Sequence, residues 1–250
     1  MSVSIKLRKS GFEDKVLVVG LPGMGRVGYI TANYFVNKLG GSLAGEVYSV
    51  YFPSQLEVDD GGFGNLFTGK IYDIGKALVF TADVQPQNSV GQNSISKKVV
   101  EALFKRGVRY VVAAAAYVVP NVELVRKVYV VGTDARTVET FTSLGAVKLR
   151  GGTISGMNGV IVGWSKYYGI PGAVLLGETW APLVEVDEAD FRAAKHVIQV
   201  IARFLDVEVD VSELDTYAEH VEQRVTAALS KILSRKEVPE RPGYKDREVM

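Results

Sequence analysis

The sequence predicts an α/β protein in which a mostly parallel sheet is covered by helices on both faces. Short apolar runs at 16–20, 77–82, 110–116, 128–131 and 173–176 alternate with segments whose apolar residues have helical spacing. This alternation is typical of parallel strands joined by crossover helices. We therefore expect a three-layer α/β/α sandwich over residues 1–183.

The first strands lead into a glycine-rich turn. Residues 3–7 alternate as a strand would, and the apolar run 16–20 is followed by Pro22, Gly23 and Gly25 before a helix that ends near Leu39-Gly40. The spacing Gly23-x-Gly25-x-x-Gly28 matches the dinucleotide-binding fingerprint. Two residues lengthen the turn after Gly20, however, and no carboxylate follows the next strand (46–52) to hold a ribose. A plain strand-to-helix turn and an anion or partner site therefore stand beside a nucleotide site.

A hairpin is predicted over residues 56–74, with its tip at 59–65, where aspartate, glycine and asparagine are dense. The tip carries Phe63, which is a candidate for partner binding. A solvated hairpin end is the alternative.

Polar residues follow several of the predicted strands. Asp83, Asp134 and Glu178 are expected near carboxyl ends of strands, where open α/β sheets bind their ligands. Asp134 is also expected to cap a helix. The candidate ligand or anion site comprises Gly23, Gly25, Arg26, Asp83 and Asn158.

The last quarter of the chain is predicted to be helical. Asp187 is expected to cap a helix with an apolar stripe from Phe191 to Leu205, and a longer helix carries a narrow apolar seam from Leu214 to Ile232. These helices, residues 184–236, either pack on the sandwich or pair with another subunit. Residues 237–250 are polar and interrupted by proline, which predicts a flexible tail.

Composition argues against several classes of protein. The net charge of +1 gives no electrostatic footprint for nucleic acid or an anionic membrane. The sequence contains no cysteine, which excludes disulfides and thiolate metal sites, and its two histidines are not spaced with acidic residues as a metal site requires. We find no nucleophile paired with a general base, and we expect no catalytic residue, metal or cofactor. No signal-peptide core or bilayer-length apolar run is present, so a cytoplasmic protein is expected.

Four segments, in order along the chain, resemble the proteasome assembly chaperone 2 family. They are GLPGMGRVG at 20–28, DVQP at 83–86, GTISGMNG at 152–159, and GIP at 169–171 followed by LGET at 176–179. The resemblance implies an α/β/α sandwich similar to nucleoside phosphorylases but without their catalytic residues. It also implies assembly into small homo-oligomers and binding to protein subunits, among them proteasome α subunits.

The carboxyl end departs from the family pattern. Tails that dock on proteasomes end in a hydrophobic residue, a tyrosine and one further residue, whereas Tyr244 here lies six residues before the end. Tyr244, Val249 and Met250 are the apolar candidates for partner binding in this tail. The first functional hypothesis is a non-enzymatic assembly chaperone. The alternative is a protein or enzyme that binds a nucleoside or phosphate ester beside the glycine-rich turn.

Overall fold

The computed structural model describes residues 2–236 and the side chains of residues 2–231. A nine-stranded sheet forms the middle layer of this part of the chain. In spatial order its strands are β1 (Val3–Leu7), β3 (Ser42–Ser49), β6 (Gly69–Asp73), β7 (Ala77–Ala82), β2 (Val16–Val19), β8 (Tyr110–Val119), β11 (Gly172–Trp180), β9 (Val128–Gly132) and β10 (Val147–Lys148). Strands β4 (Leu56–Val58) and β5 (Gly64–Leu66) form a separate antiparallel pair.

The four strands at the centre of the sheet, β7, β2, β8 and β11, run parallel to one another. Towards both edges the pairing becomes antiparallel, between β6 and β7 on one side and between β11 and β9 on the other. Each parallel step requires a crossover, and helices supply it. These strands are buried on both faces, which explains why their sequences are continuously apolar.

Seven helices, in chain order, accompany the described strands. They are α1 (Val27–Lys38), α2 (Ser89–Phe104), α3 (Ala135–Ser143), α4 (Met157–Tyr167), α5 (Ala181–Glu185), α6 (Phe191–Leu205) and α7 (Glu213–Lys236). Helices α2 and α4 pack with one face of the sheet, and α1, α3 and α6 pack with the other. The three-layer α/β/α architecture expected from the sequence is confirmed.

Alternation within β2 shows how one strand serves both cores. Leu17 and Val19 lie in the cluster that contains α2 and α4, whereas Val18 lies in the cluster that contains α1 and α6. All three side chains are fully buried. This central position fixes the direction in which the chain leaves β2 and enters the glycine-rich turn.

The predicted hairpin over 56–74 is wrong in its pairing. The hairpin closes between β4 and β5, and β6 instead joins the main sheet between β3 and β7. The preceding strand also ends earlier than predicted, because the chain turns after Ser49, whose hydroxyl accepts a hydrogen bond from Tyr51 N at 3.1 Å.

Helix α6 is a core element, with Val197, Ile198 and Ile201 buried against the sheet. Its cap is Asp190, whose carboxylate accepts a bond from Ala193 N at 2.8 Å, so the prediction of Asp187 as the cap is wrong. Asp187 has a positive φ of 54° in the turn before the helix. The cap lies three residues further on because Asp190 also holds Trp180 N, at 3.1 Å.

Helix α7 lies on α6 and α5. Its positions Leu214, Ala218, Val221 and Val225 are buried within this chain. A group of charged side chains adds to the contact: Glu222 accepts bonds from Arg126 at 2.8 Å and from two nitrogens of Arg192 at 3.0 Å each. Both arginines are almost fully buried, and the pKa of Arg192 is raised, chiefly by its hydrogen bonds to Glu222. None of the described helices is long and apolar enough to cross a membrane.

Candidate functional site

The carboxyl ends of the central parallel strands meet at one edge of the sheet, and a cavity of about 330 Å³ lies there. The glycine-rich turn after β2 forms one wall, the end of β8 forms the floor, and the loop before α4 forms the opposite wall. Residues that contribute to these walls include Gly23, Met24, Ala116, Tyr117, Gly152 and Gly156. The sequence prediction of a crevice beside the turn agrees with this position.

The turn is held from three directions by side chains. Asn158 accepts a hydrogen bond from Leu21 N and donates one to Leu21 O, both at 3.0 Å, so its amide is satisfied by one residue of the turn. Thr81 donates to Gly20 O at 2.7 Å. Gln85 donates to Pro22 O and accepts a bond from Met157 N at 3.3 Å, which links the turn to the start of α4. Asn158 and Gln85 therefore shape the crevice, and their side-chain amides form hydrogen bonds with backbone groups.

Glycine is required at some positions of the turn and not at others. Gly25 has a φ of 57°, and a Cβ there would lie 2.8 Å from Thr179 Cγ2. Gly28 is closer still, since a Cβ would lie 2.5 Å from Ala114 O. Gly23, in contrast, is extended at φ −171°, and its Cβ would meet nothing nearer than Asn158 Nδ2 at 3.9 Å.

Three of the five predicted ligand residues share a second, more polar groove of about 690 Å³ next to the cavity. Gly23, Arg26 and Asp83 line this groove together with Tyr29 and Asp187. The guanidinium of Arg26 contacts Asp187 Oδ2 at 3.4 Å, and Tyr29 donates to Asp83 at 2.8 Å. Burial, followed by this bond to Asp83, raises the pKa of Tyr29 to about 12, so the phenol is a hydrogen-bond donor at neutral pH. Gly25 is buried and lines neither the groove nor the cavity, and Asn158 lines the cavity.

Asp134 and Glu178 do not join this group. Strand β9 is antiparallel to β11, so Asp134, which follows it, lies at the opposite edge of the sheet, where it caps α3 by accepting a bond from Thr137 N at 2.8 Å. Glu178 is buried in β11 and accepts a bond from Tyr129 at 3.2 Å. The prediction that Asp134 lies at the crevice is wrong, and its role as a helix cap is confirmed by geometry.

The cavity walls are chemically neutral. Among the described residues, none that lines the cavity carries a charged side chain. Nor do any three of the described His, Asp and Glu side chains lie together as a metal site requires. His196, on α6, bonds through Nδ1 to Arg192 O at 2.8 Å, and burial lowers its pKa. The described walls can offer a ligand shape, backbone hydrogen bonds and the hydroxyl groups of Tyr117, Thr153 and Ser155, but no carboxylate, imidazole or ammonium group.

The candidate partner residue Phe63 lies at the tip of the β4–β5 hairpin with 71% of its surface exposed. Sequence reasoning missed its neighbours Leu56, Val58 and Leu66, which are exposed as well. Their alternation with polar residues is visible in the sequence, where residues 56–74 are predicted to form one longer hairpin. The other partner candidates, Tyr244, Val249 and Met250, lie outside the described residues, as does the whole predicted tail.

Fold and site together define a class: a three-layer α/β/α protein whose crevice is built from glycine turns braced by buried amides. The model of the PAC2 family matches residues 17–229. The chain belongs to the PAC2 family.

Two relatives of known structure are proteins of Pyrococcus furiosus. PbaB, described as an archaeal proteasome activator, superposes with a TM-score of 0.81 at 26% identity, covering 91% of this chain and 98% of PbaB. PbaA, described as an archaeal homolog of proteasome-assembly chaperone, gives a TM-score of 0.77 at 26% identity, covering 93% and 94%. The protein MJ1210 of Methanocaldococcus jannaschii is 27% identical over 215 residues, which are 84% of this chain and 81% of that protein.

Proposed function

We propose that this chain is a cytoplasmic, non-enzymatic chaperone-like protein that self-assembles and binds other protein subunits, with proteasome α subunits as the expected partners. The observation that carries the proposal is the likeness to PbaB and PbaA over more than nine-tenths of this chain, at 26% identity in both cases. The neutral crevice supports it, because the amides most suited to ligand binding are used to hold the turn.

Partner binding is assigned to two parts of the chain. Phe63 and its hairpin offer an exposed apolar surface, and Tyr244, Val249 and Met250 offer apolar anchors in the carboxyl-terminal segment. So few anchors give modest affinity on their own, and several copies on an oligomer would raise it through effective concentration.

The test is co-expression of the full chain with proteasome α subunits from the same organism, followed by affinity capture and native mass spectrometry. We expect a complex that contains both proteins, in a fixed ratio of copies. Capture of the chain alone, at a concentration where the α subunits are folded, would contradict the proposal. A variant carrying E139K and E208K, two exposed positions remote from the hairpin, tests whether capture depends only on the net charge of the chain. We expect this variant to be captured as the wild type is.

A second candidate function is supported by the groove that brings Arg26, Tyr29 and Asp83 together beside the cavity. Gly23, Arg26 and Asp83 would then contact a nucleoside or a phosphate ester, and Gly25 and Asn158 would hold the turn that positions them. Thermal unfolding with and without AMP or inorganic phosphate distinguishes the two functions. A ligand-dependent rise in the melting temperature that R26A abolishes would favour the small-molecule function.

A further inference from the structure

Two different surfaces of the molecule expose apolar or aromatic side chains of the kind found in protein–protein interfaces. The hairpin patch consists of the exposed side chains of β4, β5 and their turn: Leu56, Glu57, Val58, Asp60, Phe63 and Leu66. The helix face consists of Lys97 and Lys98 on α2 with Trp164, Lys166 and Tyr167 on α4.

The hairpin patch lacks a core of its own. All six residues of β4 and β5 are exposed, and the two strands pair only with each other. A two-stranded sheet is marginally stable in water, and a cluster of exposed apolar side chains on one is typical of an interaction site. Turn geometry is nevertheless well specified, since Asp59 accepts hydrogen bonds from Gly61 N at 3.0 Å and Phe63 N at 2.9 Å. The hairpin patch is thus an exposed apolar surface of defined shape, as expected of a surface that binds a partner.

The helix face is an ordered aromatic surface. Tyr167 is 71% exposed, and its ring lies 5.4 Å from that of Trp164 in an edge-on arrangement. Trp164 is fixed by a bond of 3.1 Å to Asn93, and the ammonium of Lys97 lies 5.1 Å from its ring centroid. Large, rigid aromatic side chains are enriched in the centres of protein interfaces.

The two surfaces are opposite in charge. Residues 50–69, which include the hairpin, contain three acidic residues and no Lys, Arg or His, a net charge of −3. Residues 89–109 and 157–167 contain six Lys or Arg and one Glu, a net charge of 6 − 1 = +5. The chain as a whole carries only +1, so its charge is strongly polarised between these two regions. Complementary potentials of this kind orient partners and fix their register.

We propose that the hairpin patch of one copy docks on the helix face of a second copy of this chain, with Phe63 against the Trp164–Tyr167 pair. The inference rests on the self-assembly advanced under Proposed function and assigns the surfaces that carry it. Because the two halves differ, the contact is heterologous: each copy offers one hairpin and one helix face to two different neighbours. Such contacts generate a ring when the rotation between copies closes.

Charge exchange tests the pairing. The hairpin variant E57K/D60K leaves Asp59 and its turn bonds intact, and the face variant K97E/K166E leaves Trp164 in place. Each variant alone juxtaposes like charges, so we expect its self-association to weaken by roughly tenfold or more in light scattering and sedimentation at micromolar concentration. Mixing the two variants restores opposite charges at every contact between unlike variants, so we expect the two variants to associate with each other and to regain the wild-type mass in a ring with an even number of copies.

Control variants carry the same charge change elsewhere. E139K/E208K matches the hairpin variant and R136E/K148E matches the face variant, all at exposed positions away from both surfaces. These should keep the wild-type mass, and thermal unfolding of every variant verifies that it folds.

The outcomes separate the two proposals. A monomeric wild type removes self-assembly and this contact together. An oligomeric wild type whose mass neither variant changes leaves self-assembly standing and overturns the surfaces assigned here. Dissociation by the hairpin variant alone, or a mixture in which the two variants do not bind each other, would show that the hairpin is covered by some other surface or a different protein, and would also overturn the pairing.

Discussion

Gly25 and Gly23 stand two residues apart in the same turn, yet the structure asks different things of them. Gly25 combines a left-handed backbone with contacts to Thr179 and Asp190 that leave no room for a side chain. Its carbonyl also accepts a bond from Asp190 N at 2.8 Å, which ties the turn to the start of α6. Gly23 has an ordinary extended conformation and faces open space at the mouth of the cavity.

We therefore expect Gly25→Ala to lower the free energy of unfolding by about 1–3 kcal/mol, because the backbone strain and the contact with Thr179 act together. Gly23→Ala is the matched control and should be close to neutral. Urea denaturation of both variants measures the difference. Equal losses at the two positions would contradict the distinction between them.

Asp73, at the end of β6, binds both lysines that lead into β2. Its carboxylate lies 2.7 Å from Lys9 Nζ and 2.5 Å from Lys15 Nζ, and it also accepts a bond from Gly75 N at 3.0 Å. Burial by itself would raise the pKa of Asp73, but the bonds from the lysines and Gly75 outweigh it and hold the pKa at about 2.

A carboxylate whose pKa is depressed on folding stabilises the protein above its unfolded pKa of 3.8, and this contribution is lost as the pH falls towards 2. The shift corresponds to about 2 kcal/mol. We expect Asp73→Asn to reduce stability at pH 7 by this order and to flatten the loss between pH 4 and 2. Denaturation curves across that range, compared with an exposed Asp60→Asn control, measure it. A parallel pH dependence in the D73N variant would contradict the assignment.

At the scale of elements, strand patterns predicted the sandwich well because fully buried strands are written as continuous apolar runs, as in Ala77–Ala82 and Tyr110–Val119. Strand direction carries no such local signal. Because β9 pairs antiparallel with β11, Asp134 lies at the edge of the sheet opposite the crevice. A parallel β9 would have placed Asp134 at the crevice, as the sequence pattern predicted. Likewise, the sequence predicts Asp187 as the cap of α6, and the bonds that Asp190 accepts from Ala193 N and Trp180 N, which the sequence does not show, identify Asp190 instead.

The candidate site was predicted only in part, because some of its features depend on local sequence and others on long-range contacts. Glycine spacing located the crevice at 20–28, since positive φ and close approach demand glycine wherever they occur. The roles of Asn158 and Gln85 could not be predicted, because their partners are backbone atoms 137 and 63 residues away in sequence. The hairpin is exposed because β6 pairs with β3 and β7 in the main sheet and not with the hairpin. This pairing depends on tertiary contacts that the local sequence does not show.

Helix α7 is attached through charge as well as apolar packing, and Glu222 is the shared anion. We expect Glu222→Gln to destabilise the protein by about 1–3 kcal/mol, because Arg126 and Arg192 would lose their nearest anion and keep only the longer contacts to Asp190 at 4.0 Å and Asp215 at 3.4 Å. Glu219→Gln, on the exposed side of the same helix, is the control. Chemical denaturation compares them, and a near-neutral E222Q would show that the arginines find other partners.

At the scale of the whole molecule, the proposed assembly surfaces and the carboxyl-terminal segment are different parts of the chain. The hairpin patch and the helix face lie within residues 56–167, and neither includes any of residues 237–250. Removing these residues should thus leave the fold and the oligomer unchanged.

Deletion of residues 237–250 is predicted to preserve the melting temperature and oligomer mass while weakening the capture of partner subunits, because Tyr244, Val249 and Met250 are lost with it. Light scattering and the capture assay, at matched oligomer concentration, read the two effects separately. Undiminished capture would place the partner interface on the sandwich or its hairpin.

The pair of hydrogen bonds between Asn158 and Leu21 has a consequence for biosynthesis. The two residues are 137 positions apart, and ribosomes add roughly 5–20 residues per second. Leu21 is therefore synthesised about 7–27 s before the amide that will hold it. Both neighbours of β2 in the sheet, β7 and β8, are made within that interval, so the centre of the sheet can pair before α4 exists. The crevice is thus completed after the strands beneath it, once 158 of the 250 residues have been made.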